Sequence, residues 1–294
     1  MTPRTWLITG VNSGFGRVMT EQLLAKGDRV AGTVRRLESV ADLRKQYGGQ
    51  FWTARLDVTE TPAIRQVVNQ AFIELGAIDV VVNNAGYALF GAAEGLSSEQ
   101  ITHQINTNLI GPIELLRAAL PHLRAQGGGR VLVLSTYGGQ ATYPGASLYH
   151  ASKWGLEGFF DSITGEVAPF NIGVTIVEPG GARTSFRSTA GAHMGPVPEA
   201  YQGTPVGMIS EVLQDPARLP KGDPAKMVKI MIHSVDQSPA PKRLVLGSDS
   251  YTMIQQALSD RLSALEGQKE LAFSTDFGLG ADALEIAPLS KGSV

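Results

Sequence analysis

Short apolar runs alternate with amphipathic stretches along most of this chain. Seven runs rich in Val, Ile and Leu lie at 6–9, 29–34, 51–56, 78–82, 130–134, 173–177 and 243–246. Between them, apolar residues recur at helical spacing in 18–25, 37–46, 62–75, 98–124, 147–168 and 224–235. Strands that are apolar on both faces need cover on both faces, and crossover helices provide it. The sequence therefore predicts an α/β fold: a doubly wound, seven-stranded parallel sheet in a three-layer α/β/α arrangement.

No repeat, low-complexity tract or linker divides the 294 residues, so we expect a single domain, 1–294. Two regions depart from the alternation. Residues 185–220 are rich in Gly and Pro with scattered aromatic side chains, which predicts a mobile substrate-binding lid. Residues 250–294 are expected to form a C-terminal helix, over about 251–271, followed by an arm.

Composition and charge exclude several classes of function. The formal net charge is −2 and the basic residues are dispersed, which argues against binding to nucleic acid or to an acidic membrane surface. Cysteine is absent, so neither disulfides nor thiolate chemistry is available. The five histidines lack ligand-like spacing, and we expect no metal site. No signal peptide or membrane-spanning run is found, which favours a cytoplasmic location.

A glycine-rich turn follows the first apolar run and precedes the first helix. It reads Thr9-Gly10-Val11-Asn12-Ser13-Gly14-Phe15-Gly16. Glycines at such a turn let the backbone approach a pyrophosphate, whose charge is met by free N–H groups at the helix N-terminus. A tight strand-to-helix connection without a ligand is the alternative interpretation.

Tyr149 and Lys153 are four residues apart at the start of a predicted helix. One helical turn separates them, so both side chains lie on the same face. A cation beside a phenol favours the phenolate, which would lower a pKa of about 10 and make the tyrosine usable as an acid or base.

Together, these motifs resemble those of the short-chain dehydrogenase/reductase superfamily. The similarity includes the TGxxxGxG turn at Thr9–Gly16, the NNAG segment at 83–86, Asn108 with Gly111, the Tyr149/Lys153 pair, and Pro179-Gly180 with Thr184, in the order and spacing of the family. The resemblance covers residues 5 to about 184 and the seventh strand, and it implies a Rossmann fold.

The resemblance also implies catalytic roles. Tyr149 would exchange the proton of a carbonyl or alcohol oxygen, while Lys153 would lower its pKa and hold the nicotinamide ribose. Asn108 matches an asparagine that helps to hold a water for proton relay, although a residue that merely kinks the helix is the alternative. The family's serine is replaced by Thr136, whose hydroxyl offers the same donor and acceptor. The neighbouring Ser135 is expected to face the other side of the strand.

Cofactor choice is predicted from the end of the second strand. The family's acidic position is Val34, followed by Arg35 and Arg36, so no carboxylate repels a 2′-phosphate and Arg35 can bind one. We therefore expect NADP(H) rather than NAD(H), with a solvated arginine pair as the alternative. The resemblance assigns further cofactor contacts to Gly10, Asn12, Ser13, Gly14, Phe15, Gly16, Asp57, Val58, Asn84, Ala85, Gly86, Tyr149, Lys153, Pro179, Gly180 and Thr184.

The expected function is interconversion of a hydrophobic ketone or aldehyde and its alcohol. Apolar and aromatic walls are expected from Tyr87, Leu89, Phe90, Tyr137, Tyr143 and the 186–208 region. A homodimer or homotetramer through the 98–124 and 147–168 helices is implied by resemblance. A non-catalytic NADP(H)-binding redox sensor is the alternative, and a nucleotide-sugar epimerase is disfavoured by the glycine spacing. His150 and Glu178 are expected to have surface or loop roles.

Overall fold

The computed structural model describes residues 3–215, 217 and 219–277. Within them the strands form one seven-stranded, all-parallel sheet in the order β3-β2-β1-β4-β5-β6-β7. The strands are β1 (Thr5–Thr9), β2 (Arg29–Val34), β3 (Phe51–Arg55), β4 (Val80–Asn83), β5 (Gly129–Leu134), β6 (Ile172–Pro179) and β7 (Arg243–Leu246). The predicted fold class, a doubly wound parallel sheet of the Rossmann type, is confirmed.

Helices cover both faces of this sheet. The α-helices of the described residues, whether or not they cover the sheet, are α1 (Gly14–Ala25), α2 (Ala41–Tyr47), α3 (Thr61–Leu75), α4 (Ser98–Ile105), α5 (Gly111–Ala125), α6 (Ser147–Val167), α7 (Phe186–Ala192), α8 (Ile209–Gln214), α9 (Pro224–Ser234), α10 (Ser248–Glu266) and α11 (Lys269–Phe273). One core packs α3, α5 and α6 against one sheet face, and a second packs α1, α2 and α9 against the other. No helix of the described chain is both long and apolar enough to cross a membrane.

The order of the strands creates a crevice at one edge of the sheet. Successive strands run outward from β1 to β3 on one side and from β4 to β7 on the other, so the winding reverses between β1 and β4. In such sheets, ligands bind beyond the carboxyl ends of the strands at this reversal. The segments that follow β1, β2, β4, β5 and β6 therefore converge where the sequence predicts the functional residues.

The predicted long helix over 98–124 is interrupted. A π-helical segment, Asn106–Ile110, lies between α4 and α5 and contains Asn108. Asn is a poor residue for a helix interior, and here its side chain bonds to the backbone of another loop. A widened turn of this kind is frequent at functional sites.

The region predicted as an irregular lid contains two short helices, α7 and α8. It is joined to the body by a bridge between Phe90 and Met194 and by a 2.7 Å hydrogen bond from the Gly195 N–H to the Phe90 carbonyl oxygen. The helix predicted over 251–271 is present as α10 and α11, divided near Gly267.

The chain separates into two compact units, residues 1–254 and 255–294. The predicted terminal arm from 278 lies outside the described residues.

Candidate active site

The glycine turn after β1 has the backbone that its sequence predicts. Gly10 has φ +73° and Gly14 has φ +56°, both in the left-handed region that favours glycine. Gly16 is buried, and a Cβ there would overlap the carbonyl oxygen of Gly10 and the side-chain amide of Asn84. The turn therefore brings backbone close to backbone in a way that side chains would prevent.

The first turn of α1 keeps its N–H donors available. Ser13 is the N-cap residue, but its side chain makes no capping hydrogen bond. The leading N–H groups of a helix have no partners within the helix, and the helix dipole makes this end attractive to anions. Asn12 and Ser13 are exposed beside it, whereas Phe15 is half-buried. These features fit a pyrophosphate.

Asn84 fastens the glycine turn to the end of β4. Its side-chain amide donates to the carbonyl oxygens of Thr9 at 2.8 Å and Gly10 at 3.1 Å. In return, the Thr9 hydroxyl accepts from the N–H groups of Asn84 and Ala85, at 3.1 and 3.0 Å. Gly86 follows, exposed, and a Cβ on it would lie 3.9 Å from the Lys153 ammonium. The NNAG segment thus connects the glycine turn with the Tyr149/Lys153 region.

The end of β2 carries no carboxylate. Val34 is buried at 2 % exposure, and both Arg35 and Arg36 are exposed beyond it. Burial alone would raise the pKa of Asp57, but hydrogen bonds from Thr59 and the charge of Arg35 outweigh burial and lower that pKa. Arg35 therefore lies near Asp57. Val58, next in the chain, is half-buried.

The residues after β6 border the same crevice. The Pro179 carbonyl oxygen lies 3.2 Å from the Thr136 hydroxyl. Gly180 is packed so tightly against Asp249 that a Cβ would overlap its carboxylate, which also accepts a 2.7 Å hydrogen bond from the Gly181 N–H. Thr184 lies opposite the glycine turn, 4.0 Å from the position of a Cβ on Gly14.

Tyr149 and Lys153 lie one turn apart on α6, and both are buried at 7 % exposure. The Lys153 ammonium donates a 2.7 Å hydrogen bond to the Leu134 carbonyl oxygen at the end of β5. Burial lowers the pKa of Lys153 to about 8, although the negative charge of Glu157 raises it. Lys153 is thus held between the sheet and a carboxylate one turn further along α6.

The pKa of Tyr149 differs from the sequence-based expectation. Burial raises it above the usual value, and the nearby Tyr137 adds to the increase, whereas a hydrogen bond with Thr136 lowers it. Lys153 does not produce the expected lowering of this pKa, and its ammonium donates to the Leu134 carbonyl oxygen. Tyr149 therefore retains its proton at neutral pH in this arrangement and can act as a proton donor.

Thr136, rather than Ser135, reaches Tyr149. The Thr136 hydroxyl lies within hydrogen-bonding distance of both the Tyr149 phenol and the Pro179 carbonyl oxygen. The Ser135 hydroxyl is directed elsewhere: a Cβ on Gly139 would lie 2.7 Å from it and 3.0 Å from Glu157 Oε1. This geometry agrees with the expectation that alternate side chains near a strand end face opposite ways.

Asn108 connects the π-helical segment to both Tyr87 and α6. Its amide oxygen accepts from the Tyr87 N–H at 3.1 Å, and its amide nitrogen donates to the Tyr87 carbonyl oxygen at 2.8 Å and to the Ser152 hydroxyl at 3.3 Å. Ser152 in turn donates to the Tyr149 carbonyl oxygen at 2.7 Å. Ser152 was not predicted from the sequence. Its position three residues after Tyr149, on the predicted helix, could have indicated it.

Aromatic side chains surround Tyr149. The rings of Phe90 and Phe186 each lie 6.1 Å from its ring. Among the other predicted walls, Tyr137 and Tyr143 lie next to each other at 6.2 Å, while Leu89 is buried. Apolar rings therefore border the phenol, together with the Thr136 hydroxyl and the His150 ring at 6.2 Å.

Tyr87 has polar partners instead. Its hydroxyl pairs with His103 Nδ1 at 2.7 Å, and its ring lies 5.8 Å from that of His193. In the part of the chain that the structure describes, no group of three or more His, Cys, Asp or Glu side chains could hold a metal ion.

The expectation of a surface role for His150 was wrong. His150 is buried at 3 % exposure against the Tyr143 ring, 4.5 Å away, and burial lowers its pKa to about 4. Gly138 lets the loop after β5 approach His150 closely, since a Cβ on it would lie 2.9 Å from the imidazole ring. Glu178 is fully buried and therefore has no solvent contact, but it does contact this loop, because it accepts a hydrogen bond from the Gln140 side chain.

Comparisons with known proteins agree with this geometry. A family model described as short chain dehydrogenase matches residues 4–195. Oxidoreductase BOA17 of Botryotinia fuckeliana is 33 % identical over 273 residues, which cover 92 % of this chain and 99 % of that protein. The 3-ketodihydrosphingosine reductase of Bacteroides thetaiotaomicron is 36 % identical over 187 residues, 63 % of this chain and 66 % of that protein. A solved short-chain dehydrogenase structure from Streptomyces avermitilis is 35 % identical with a TM-score of 0.85, covering 94 % of this chain and 99 % of that one.

Proposed function

The chain belongs to the short-chain dehydrogenase family of oxidoreductases, and from this premise we propose that it interconverts a hydrophobic ketone or aldehyde and its alcohol with NADP(H). One observation carries the proposal. The Tyr149 phenol is buried among aromatic rings, is hydrogen-bonded to Thr136, and lies one helical turn from Lys153 at the carboxyl edge of the sheet. A sensor that only binds NADP(H) would not require this arrangement of ionisable groups.

The glycine turn fits a dinucleotide. The left-handed glycines and the uncapped start of α1 would receive the pyrophosphate, and Asp57 and Val58 would border the adenine. Pro179, Gly180 and Thr184 would face the nicotinamide half. When bound, the nicotinamide supplies or accepts the hydride. Exposed Arg35 and Arg36, beyond a strand end without a carboxylate, favour a cofactor with a 2′-phosphate.

Side chains of the protein carry out the proton transfer. Tyr149 would donate its proton to the carbonyl oxygen during reduction and take it back during oxidation. Thr136 would hydrogen-bond the same oxygen, and this role competes with its contact to the Pro179 carbonyl because a hydroxyl has one proton to donate. Lys153 would hold the nicotinamide ribose, and Asn108 holds the Tyr87 backbone and Ser152 in place around the Tyr149/Lys153 pair.

The substrate class follows from the walls around Tyr149. Phe90 and Phe186 offer apolar surface next to the phenol, and apolar surface binds uncharged hydrophobic groups. The name of the Bacteroides relative, a 3-ketodihydrosphingosine reductase, agrees with a ketone substrate.

The test is a panel of uncharged ketones and aldehydes, with NADPH oxidation followed by absorbance. We expect turnover by the wild type and a loss of about 10²-fold or more in Tyr149→Phe, the size of a general acid's contribution. Calorimetry should show unchanged NADPH affinity in that variant. Tyr251→Phe, at an exposed tyrosine, is the matched control. NADPH binding without turnover of any carbonyl would favour the redox-sensor alternative, and turnover of anionic carbonyls alone would contradict the substrate class.

A further inference from the structure

Two glutamates lie buried next to each other behind the Tyr149/Lys153 pair. Glu157 is one turn beyond Lys153 on α6 and is 5 % exposed, and Glu178 is the penultimate residue of β6 and fully buried. Both carboxyl groups lie against the same guanidinium nitrogen, Arg243 Nε, at 3.1 and 3.5 Å. Two buried carboxylates at one guanidinium cannot both ionise without a large electrostatic cost, so a cation or a proton must compensate.

Two cations are in direct contact with this cluster. Arg243 of β7 contacts both glutamates through Nε, at 3.1 Å from Glu157 Oε2 and 3.5 Å from Glu178 Oε1. Its Nη2 is 3.2 Å from Asp161 Oδ2, and Lys242 pairs with Asp161 as well. Two cations in direct contact thus serve three carboxyl groups, and the third carboxyl group depends on a more distant cation or on a proton.

Lys153 is the other cation near this cluster. It faces Glu157 along α6, but its ammonium is bonded to the Leu134 carbonyl. The loop after β5 contributes only neutral groups: the amide of Gln140, which donates to Glu178 Oε1, and the hydroxyl of Ser135. From α10, the Ser250 hydroxyl donates to the Glu178 carbonyl oxygen.

Unsatisfied buried oxygens mark the same place. Glu157 Oε1, Glu178 Oε2 and Ser135 Oγ are all buried without a hydrogen-bond partner. Buried polar atoms in folded proteins rarely stay unpaired. A proton on one carboxyl group would let it donate to the other and satisfy both oxygens at once.

We propose that Glu157 and Glu178 share one proton and act as a buried acid pair that positions Lys153 and the Thr136–Gln140 loop. The pair carries one negative charge while it holds the proton. This negative charge stabilises the protonated form of Lys153. Glu178 also anchors Gln140, in the loop that carries Thr136. These are positioning residues, because neither is placed to touch the substrate. The effect on activity rests on the proposed function, whereas the shared proton does not.

Stability against pH provides the first test. Glu178 is expected to titrate near pH 7 in the folded chain, because burial and Glu157 raise its pKa, and near pH 4.3 when unfolded. The folded chain therefore binds more protons between these values, and the stability that the pair contributes is lost as pH rises through this window. The free energy of unfolding of the wild type should fall from pH 5 to 7.5 relative to that of Glu178→Gln. This variant keeps a hydrogen-bond donor at position 178 but has no group there that titrates. Glu166→Gln, at an exposed glutamate of α6, should parallel the wild type.

Carbon-13 NMR of glutamate labelled at the side-chain carboxyl gives a second reading. One glutamate resonance, that of Glu178, should titrate near neutral pH in the wild type, and none should do so in Glu178→Gln. Parallel stability curves together with the absence of any glutamate titrating above about pH 5.5 would overturn the proposal. The wild-type spectrum decides the matter if Glu178→Gln does not fold.

The link to Lys153 has its own readout. Glu157→Gln removes the charge that raises the Lys153 pKa, so the alkaline limb of the kcat/KM profile should move to lower pH. If the alkaline limb of the profile does not move while the stability test gives the expected result, the shared proton stands. The proposed effect of Glu157 on Lys153 is then refuted. A complete lack of turnover by the wild type would be a failure of the proposed function, which the stability and NMR measurements distinguish.

Discussion

The Lys153 ammonium donates a 2.7 Å hydrogen bond to the carbonyl oxygen of Leu134, the last residue of β5. This single backbone contact does not replace full hydration, and burial lowers the pKa of Lys153 from 10.5 to about 8. Between these values the unfolded chain binds more protons than the folded chain. The charged lysine therefore costs stability below pH 8, by an amount on the order of 3 kcal/mol, and the cost disappears toward pH 10.5.

We predict that Lys153→Met is more stable than the wild type at pH 7 and that this advantage shrinks between pH 8 and 10. Urea unfolding at several pH values measures it. Lys229→Met, at an exposed lysine of α9, should show no such trend. A difference that is constant over this range would mean that Lys153 titrates normally.

A second prediction concerns the hydroxyl of Thr136. It lies within hydrogen-bonding distance of Tyr149 and of Pro179, and the contact with Tyr149 lowers the phenol's pKa. Thr136→Val keeps the shape and removes the hydroxyl. Because a hydrogen bond to a developing charge is worth about 1.5–3 kcal/mol, we expect kcat/KM to fall roughly 10- to 150-fold and the kinetic pKa of Tyr149 to rise. The pH profile of carbonyl reduction measures both.

Thr136→Ser is the conservative control for that experiment and should retain most of the activity. An equal loss in Thr136→Ser and Thr136→Val would assign the effect to the methyl group and its packing instead of the hydroxyl.

Arg35 provides a prediction about cofactor choice. The guanidinium is exposed beyond β2, next to a strand end without a carboxylate. Arg35→Ala should raise KM for NADPH by about 10- to 100-fold, the value of a charge-assisted hydrogen bond, and leave KM for NADH nearly unchanged. Arg44→Ala, at an exposed arginine of α2, is the matched control. Equal efficiency with the two cofactors in both the wild type and Arg35→Ala would contradict NADP(H) preference.

The sequence predicted the sheet well because its strands are continuous apolar runs. The bounds of β2 and β7 agree with the prediction, and the remaining strands differ by one or two residues at their ends. The predicted family is confirmed by the family model over residues 4–195. These features depend on local patterns and on the spacing of motifs, both of which are visible in one dimension.

Features that depend on tertiary contacts were not predicted. The break at Asn106–Ile110 exists because Asn108 bonds to Tyr87, 21 residues away. The burial of His150 depends on Gly138 of the loop between β5 and α6, where a side chain would overlap the imidazole. The direction of the Tyr149 pKa shift followed from burial, which outweighs the lowering by the hydrogen bond with Thr136. Helical spacing alone contains none of this information.

Gly16 provides the last prediction, which separates the two interpretations of the glycine turn. A Cβ there would overlap both the Gly10 carbonyl oxygen and the Asn84 amide, so Gly16→Ala must displace the turn. Overpacking of this kind typically costs about 1–3 kcal/mol of stability. If the turn holds a pyrophosphate, NADPH affinity should fall as well, which titration calorimetry measures below the variant's melting temperature. Gly49→Ala, at an exposed glycine whose added Cβ meets nothing within 4 Å, should leave both quantities almost unchanged. Loss of stability with full retention of NADPH affinity would identify the turn as a tight connection only.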